Sequence, residues 1–210
     1  MPAMVEETAE SKERKSKKVV KRKTIDKWKK KKWFSIIAPA FFNNQVLGET
    51  VAEEPEQVMK RSITVNAGDL ANQAKLRHVA LYFQVDNVQG QKASTRLVGH
   101  EIHDSYLRRL VRRRSSKIQV VEDVSLKTGE KVRVKAVTIT GKKASRAQET
   151  EIRKIMKEEL VGAASKKPFD QFVQELIFGT TSSNIFKAAK KIVPIKRIEI
   201  NKSLVLEQKS

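Results

Sequence analysis

Two residue patterns in this chain of 210 residues have the types and spacing to do chemistry. One is His100-Glu101-Ile102-His103-Asp104, which sets two imidazoles three residues apart beside two carboxylates. These are the donor groups of many metal sites, and they also move protons in acid–base catalysis. A metal site needs a third protein ligand in a suitable environment, and the same segment reads equally as the polar end of a strand ahead of a helix cap. His78 falls on the more polar face of its own strand, where a solvated or partner-facing imidazole is expected rather than a general base. Carboxylates are plentiful, but no spacing makes two of them converge. There is no GxxxxGK[ST], GxGxxG or GxSxG stretch. Cysteine is absent, which removes disulfides, thiolate zinc sites and cysteine nucleophiles together. The expectation is no catalytic residue, no metal and no cofactor.

The other pattern is unbalanced positive charge. Residues 11–32 hold 13 basic residues against Glu13 and Asp26. They are Lys12, Arg14, Lys15, Lys17, Lys18, Lys21, Arg22, Lys23, Lys27, Lys29, Lys30, Lys31 and Lys32. A second cluster is Arg108, Arg109, Arg112, Arg113 and Arg114, with only Asp104 nearby to balance it. A third is Lys142, Lys143 and Arg146, and Lys166-Lys167 is a candidate fourth. Arg153 differs, because Glu149 stands one helical turn earlier as a ready partner. The chain carries a formal +20 with a pI near 10.2, and residues 33–210 alone hold 31 basic against 19 acidic groups. Such an imbalance repels itself unless a polyanion neutralises it. Guanidinium forks match phosphate oxygens and can grip a nucleic-acid backbone without reading its sequence. Trp28 sits among the lysines of KWKKKKWF (27–34), where stacking on a base and packing on the fold are both open.

An anionic membrane is the weaker partner. The basic tail lacks the apolar face of an interfacial helix, and the longest apolar run, Ile36 to Phe42, is seven residues and contains Pro39. No apolar secretory region stands near the first residues, so the chain reads as soluble and cytoplasmic. No helix-turn-helix, zinc finger, basic zipper or RNP-type strand is visible, which favours shape-and-phosphate contact with a structured RNA. The rival readings are an RNA-processing enzyme built on His100, His103 and Asp104, and a free-standing RNA-binding protein.

The elements that must position these residues are set by periodicity. Residues 1–32 carry too few apolar side chains for a core and are expected to be a disordered basic tail. Trp33 and Phe34 begin the first strand and are both expected to pack on the core. FSIIA, QVLGETVA and SITV read as strands. Val79, Leu81, Phe83 and Val85 alternate on one face of another, with Thr95 to Val98 as its hairpin partner across Gly90. A short helix is expected from Asp104, as N-cap, to about Arg113. A second hairpin joins Lys117–Leu126 to Val132–Thr140 through a turn at Gly129. Ser145-Arg146-Ala147-Gln148 fits a capping box for a helix with Ile152, Ile155, Met156 and Leu160 inside, ended by Gly162 and the Ser-Lys-Lys run at 165–167. Pro168 opens a helix with Phe169, Phe172, Val173, Leu176 and Ile177 inside, stopped by Gly179. Ser182 or Ser183 caps a third helix that ends before Pro194. IKRIEINKSLVL closes the fold as a strand with a bulge near Lys196-Arg197. The class is α+β: a barrel-like antiparallel core of about seven strands with a C-terminal helical section. One domain spans 33–210, mainly β over 33–140, mainly α over 141–193, with the closing strand at 194–206.

Read in order, KKWFSIIAPAFF, LGETV, VDNVQGQKASTRLVGHEI, VSLKTGEKVRVKAVTIT and ASRAQETEIRKIMKEEL make a series. It resembles the S-three-a-e family of small-subunit ribosomal proteins of archaea and eukaryotes, also called eukaryotic-type S-one, in its shorter archaeal form. The similarity runs from about Lys23 to the last strand. The resemblance implies a structural constituent of the small ribosomal subunit with a barrel-like core, placed near the 3′ end of the small-subunit rRNA and the mRNA exit. Its partners would be small-subunit rRNA, neighbouring ribosomal proteins and mRNA near the exit. Its basic N-terminal extension would lie on rRNA, which here falls on 12–32 and on Trp33 to Phe42. The arginine cluster at 108–114 is an addition from charge alone.

Overall fold

Strand alternation governs most of residues 32–140, and helical periodicity governs most of residues 146–189. The computed structural model describes residues 27–207. The expectation for the tail up to residue 26 lies outside the described residues. The chain divides between Lys30 and Lys31, and the two parts are taken separately.

Before that division, Lys27–Lys30 forms a single 3-10 turn in which Trp28, Lys29 and Lys30 are exposed. After it come eight strands: β1 (Lys32–Ile37), β2 (Val46–Ala52), β3 (Ser62–Asn66), β4 (Val79–Gln89), β5 (Lys92–Ile102), β6 (Lys117–Ser125), β7 (Lys131–Thr140) and β8 (Ile195–Glu207). Five helices interrupt or follow them: α1 (Ala67–Leu70), α2 (Asp104–Leu110), α3 (Arg146–Ser165), α4 (Phe169–Phe178) and α5 (Thr180–Ala189). The class is α+β, as read from the sequence, with one strand more than expected.

The sheet does not close into a barrel. Its path runs β2-β1-β5-β8-β7-β6, with β3-β4 branching from β5, and β1·β5 is the parallel pair in an otherwise antiparallel sheet. β2, β3 and β6 each pair on one side only, which leaves open edges. β5 holds the arrangement together. Lys92–Ser94 pairs with β1, and further along Gly99–Glu101 pairs with β8, while β4 runs along its other side. The close approach of β5 and β8 requires glycine at 99, because a Cβ there would lie 2.1 Å from the Ser203 carbonyl oxygen. β8 thus joins the two hairpins rather than sealing a cylinder. It carries the expected bulge: Ile195 opposes Thr140 and Arg197 opposes Ile139, so Lys196 is the extra residue.

The main core lies between the sheet and the helices. Val79, Leu81, Phe83, Leu97, Val132 and Val134 meet Ile152, Met156, Leu160 and Ile185. Phe169, Phe172, Val173, Leu176 and Ile177 are all buried, and burial of each such side chain stabilises by about 1.5–3 kcal/mol. A smaller cluster of Phe34, Ile36, Ala52, Val58, Val85 and Ala93 lies apart from it. Here the expectation for Trp33 fails. Phe34 is buried, but Trp33 is 59% exposed, because strand alternation sends neighbours to opposite faces.

Four helix boundaries differ from expectation. His103, not Asp104, is the N-cap of α2, and that helix stops at Leu110. α3, by contrast, starts at the predicted capping box, formed by Ser145 and Gln148, passes through Gly162 and ends at Ser165, in the expected Ser-Lys-Lys run. Ala164 lies one turn beyond Leu160 on the buried stripe, and a lone glycine costs a helix only about 1 kcal/mol. Pro168 is the N-cap of α4 rather than part of its first turn. α5 begins directly after Gly179, at φ +83, instead of at Ser182 or Ser183. The Ser183 hydroxyl donates back to the Gly179 carbonyl at 2.9 Å.

Candidate nucleic-acid interface

The arginine cluster is presented by two local structures. Leu107 is buried and anchors α2, while Tyr106 lies half-buried beside it. The Tyr106 ring stacks on His78 at 3.9 Å and 21°, and its hydroxyl donates to Glu199 Oε1 at 3.2 Å. The Arg109 guanidinium sits 5.7 Å over the same ring. His78, expected to be solvated or partner-facing, is therefore half-buried as the base of a stack. Burial, above the other causes, holds its pKa below the ordinary 6.5. Burial, with the Glu199 carboxylate, pushes the Tyr106 hydroxyl up.

After Leu110 the backbone turns extended at Val111. The Ser115 hydroxyl then donates to the Arg112 carbonyl at 2.5 Å and accepts the Arg112 N–H at 3.2 Å. A serine that offers the backbone local bonds competes with helix continuation. Arg112, Arg113 and Arg114 therefore lie in a tight turn, with Arg114 at φ 65, and all three are exposed.

That turn is tied to the third cluster. Ser116 N–H donates to Thr140 Oγ1 at 2.8 Å, Thr140 N–H donates to the Ser116 carbonyl at 3.0 Å, and Ala144 N–H donates to Ser116 Oγ at 3.1 Å. The buried Thr140 hydroxyl also donates to the Lys142 carbonyl at 2.6 Å. These bonds place Arg112–Arg114 beside Lys142, Lys143 and Arg146 at one end of the β6/β7 hairpin. A third turn joins them, because Gly141 N–H donates to the Pro194 carbonyl at 2.7 Å. Lys190, Lys191 and Lys196 flank that proline and are exposed.

These lysines were missed in the sequence, although KAAKKIVPIK is dense in charge. Their place depends on the pairing of Ile195 with Thr140. Arg108, Arg112, Arg113, Arg114, Lys142, Lys143, Arg146 and Lys191 form no ion pair among the described residues. The candidate fourth cluster fares differently, since Lys167 is paired with Glu175. Arg153 bonds Glu149 at 3.2 Å, as its spacing predicted.

Of the tail residues, Lys12, Arg14, Lys15, Lys17, Lys18, Lys21, Arg22 and Lys23 lie outside the described residues. Lys27, Trp28, Lys29 and Lys30 fall in the 3-10 turn, and Lys31 and Lys32 are exposed where β1 begins.

The histidine pattern does not make a site. His100 is buried, its Nε2–H donating to the Ile200 carbonyl at 3.1 Å and its Nδ1 accepting from the Ser203 hydroxyl at 2.6 Å. Burial pushes its pKa down to about 4. Glu101 follows on the opposite face and takes Lys202 Nζ at 2.9 Å and the Tyr82 hydroxyl at 3.2 Å. The Lys202 hydrogen bond is the main cause holding its carboxyl below the usual range. His103 and Asp104 are exposed. Among the described residues no three His, Asp or Glu side chains gather as metal ligands. Both nitrogens of His100 are engaged in structure, which removes it as a proton shuttle.

The model of the Ribosomal S3Ae family matches residues 19–209. The chain is 45% identical over 182 residues to small ribosomal subunit protein eS1 of Sulfurisphaera tokodaii, covering 87% of this chain and 94% of that protein. It is 44% identical over 182 residues to the protein of that name from Saccharolobus islandicus strain L.S.2.15, and 43% to that of Saccharolobus solfataricus, covering 87% of this chain and 88% of each. A match across this much of the chain, at these identities, establishes that it belongs to the Ribosomal S3Ae family.

Proposed function

We propose that this chain is a structural, non-catalytic constituent of the small ribosomal subunit that grips rRNA through its backbone phosphates. One observation carries the reading: the union of Arg112–Arg114 with Lys142, Lys143 and Arg146 at one end of the sheet, unpaired by carboxylates among the described residues. Folding these cations together costs electrostatic repulsion, which a polyanion removes. Relatives named as small ribosomal subunit proteins support the choice of polyanion. The partners are small-subunit rRNA and neighbouring small-subunit ribosomal proteins, and contact with mRNA near its exit belongs to the same proposal. The lysines and arginines of 12–32, with Trp28, extend the grip from a tail over residues 1–32. A single α+β domain over 33–210 carries the folded surface. The setting is cytoplasmic, and no described helix is long and apolar enough to cross a membrane.

Sedimentation of the endogenous protein tests this reading. Co-migration with small subunits through a high-salt wash is expected, and migration as free protein would overturn it. Affinity for isolated small-subunit rRNA supplies the second measure. Neutralising roughly 6–10 phosphates predicts a fall of about 10³–10⁵-fold between 50 and 200 mM salt, by the duplex-DNA rule. Replacing Arg112, Arg113 and Arg114 by Ala should flatten that salt slope by about one for each phosphate no longer neutralised. A wild-type affinity indifferent to salt contradicts the proposal.

A further inference from the structure

A cleft of about 500 Å³ opens between α5 and β8, next to the basic end of the sheet. Its size lies within the roughly 300–1,000 Å³ of sites that hold small molecules. Phe178 closes α4, and Gly179 at φ +83 turns the chain so sharply that α5 starts in the next residue. Phe178 is thereby left at the cleft with half of its surface exposed. Phe186 contributes a second, partly buried ring, and Ile198 adds to the apolar lining. The rim is cationic. Lys187 and Lys196 are exposed and in no ion pair among the described residues. Lys196 is the extra residue of the β8 bulge, a device that re-aims a side chain. Glu199 is the one carboxylate in the lining, and its Oε1 already accepts from Arg197 Nε at 2.7 Å and from the Tyr106 hydroxyl.

An apolar aromatic wall beside free ammonium groups suits a planar base with a phosphate attached. A duplex hides the faces of its bases, whereas a single strand can press one against a ring. We propose that the cleft between α5 and β8 takes one unpaired RNA nucleotide, its base against Phe178 and Phe186 and its phosphate between Lys187 and Lys196. This rests on the RNA-binding reading above and adds to it a class of ligand distinct from duplex backbone.

Fluorescence anisotropy of the full chain with a short single strand, an abasic strand of equal length and a duplex tests the assignment. Phe178→Ala should weaken the single strand about 5- to 100-fold, the range of one lost base stack, and leave the abasic strand and duplex unchanged. Phe178 is half exposed, so thermal unfolding of the variant should match wild type. Lys187→Glu is the second variant. It should weaken the single strand more than Lys166→Glu, a charge change away from the cleft. Equal losses for single strand and duplex, or no loss for the single strand, would overturn the nucleotide site while leaving phosphate binding intact. Wild-type protein that binds neither form would overturn the RNA reading itself.

Discussion

His100 offers a quantitative check on how this fold treats a buried imidazole. Unfolded, the ring titrates near 6.5, and folded it is pushed down to about 4, with its two nitrogens held by Ile200 and Ser203. A depressed histidine pKa means that the unfolded chain binds more protons between these values, so stability rises with pH across that window. The contribution is complete above pH 6.5 and is lost as pH falls through the window towards 4. The full shift corresponds to about 3 kcal/mol, of which about 2 kcal/mol should disappear between pH 7 and pH 5. His78, also lowered, adds to the loss with the same sign. Glu101 and Asp123 have depressed carboxyl pKa values and lose their contribution only in more acid solution. Urea unfolding at pH 7 and pH 5, for wild type and His100→Gln, isolates the effect. Glutamine keeps a donor and an acceptor but does not titrate, so the variant should lose about 2 kcal/mol less than wild type over this interval. Parallel losses, or an NMR titration of His100 centred near 6.5, would refute the reasoning.

Gly99→Ala should destabilise by about 3 kcal/mol or more in urea unfolding, because the added methyl meets the Ser203 backbone oxygen rather than a movable side chain. A loss under about 1 kcal/mol would show that β5 and β8 can separate there at little cost. Phe34→Ala should cost about 3–5 kcal/mol, whereas Trp33→Ala should fall within about 0.5 kcal/mol of wild type, and the reverse order would put the wrong aromatic in the core. Ser145→Ala removes the hydroxyl that accepts Gln148 N–H at 3.4 Å and should cost about 0.5–2 kcal/mol, measured the same way.

The local elements were legible because their signals are local. The capping box at Ser145, the left-handed Gly129 and Gly179, and the apolar stripe from Phe169 to Ile177 all stand where short-range rules put them. The Lys196 bulge was legible as a break in alternation. Trp33 was not, since it and Phe34 are both large aromatics and only the strand's phase decides which one is buried. The length of α2 was not either, because Ser115 ends the chance of helix through bonds to Arg112.

Charge, the absence of cysteine and the ordered family segments determined by themselves what kind of protein this is, since those properties belong to the chain whatever its shape. The tertiary structure alone decided which cations act together. Ser116, Thr140 and Ala144 are joined by bonds that span up to 28 residues, and Gly141 by one to Pro194, so 112–114, 142–146 and 190–196 become one end of one sheet. The tertiary structure also decided that His100 faces the core and not a ligand, because the pairing of Gly99 with Leu204 sets its imidazole against Ser203. Register is a long-range property: a slip of one residue would reverse the faces, and no spacing within a single strand reveals which partner it will meet.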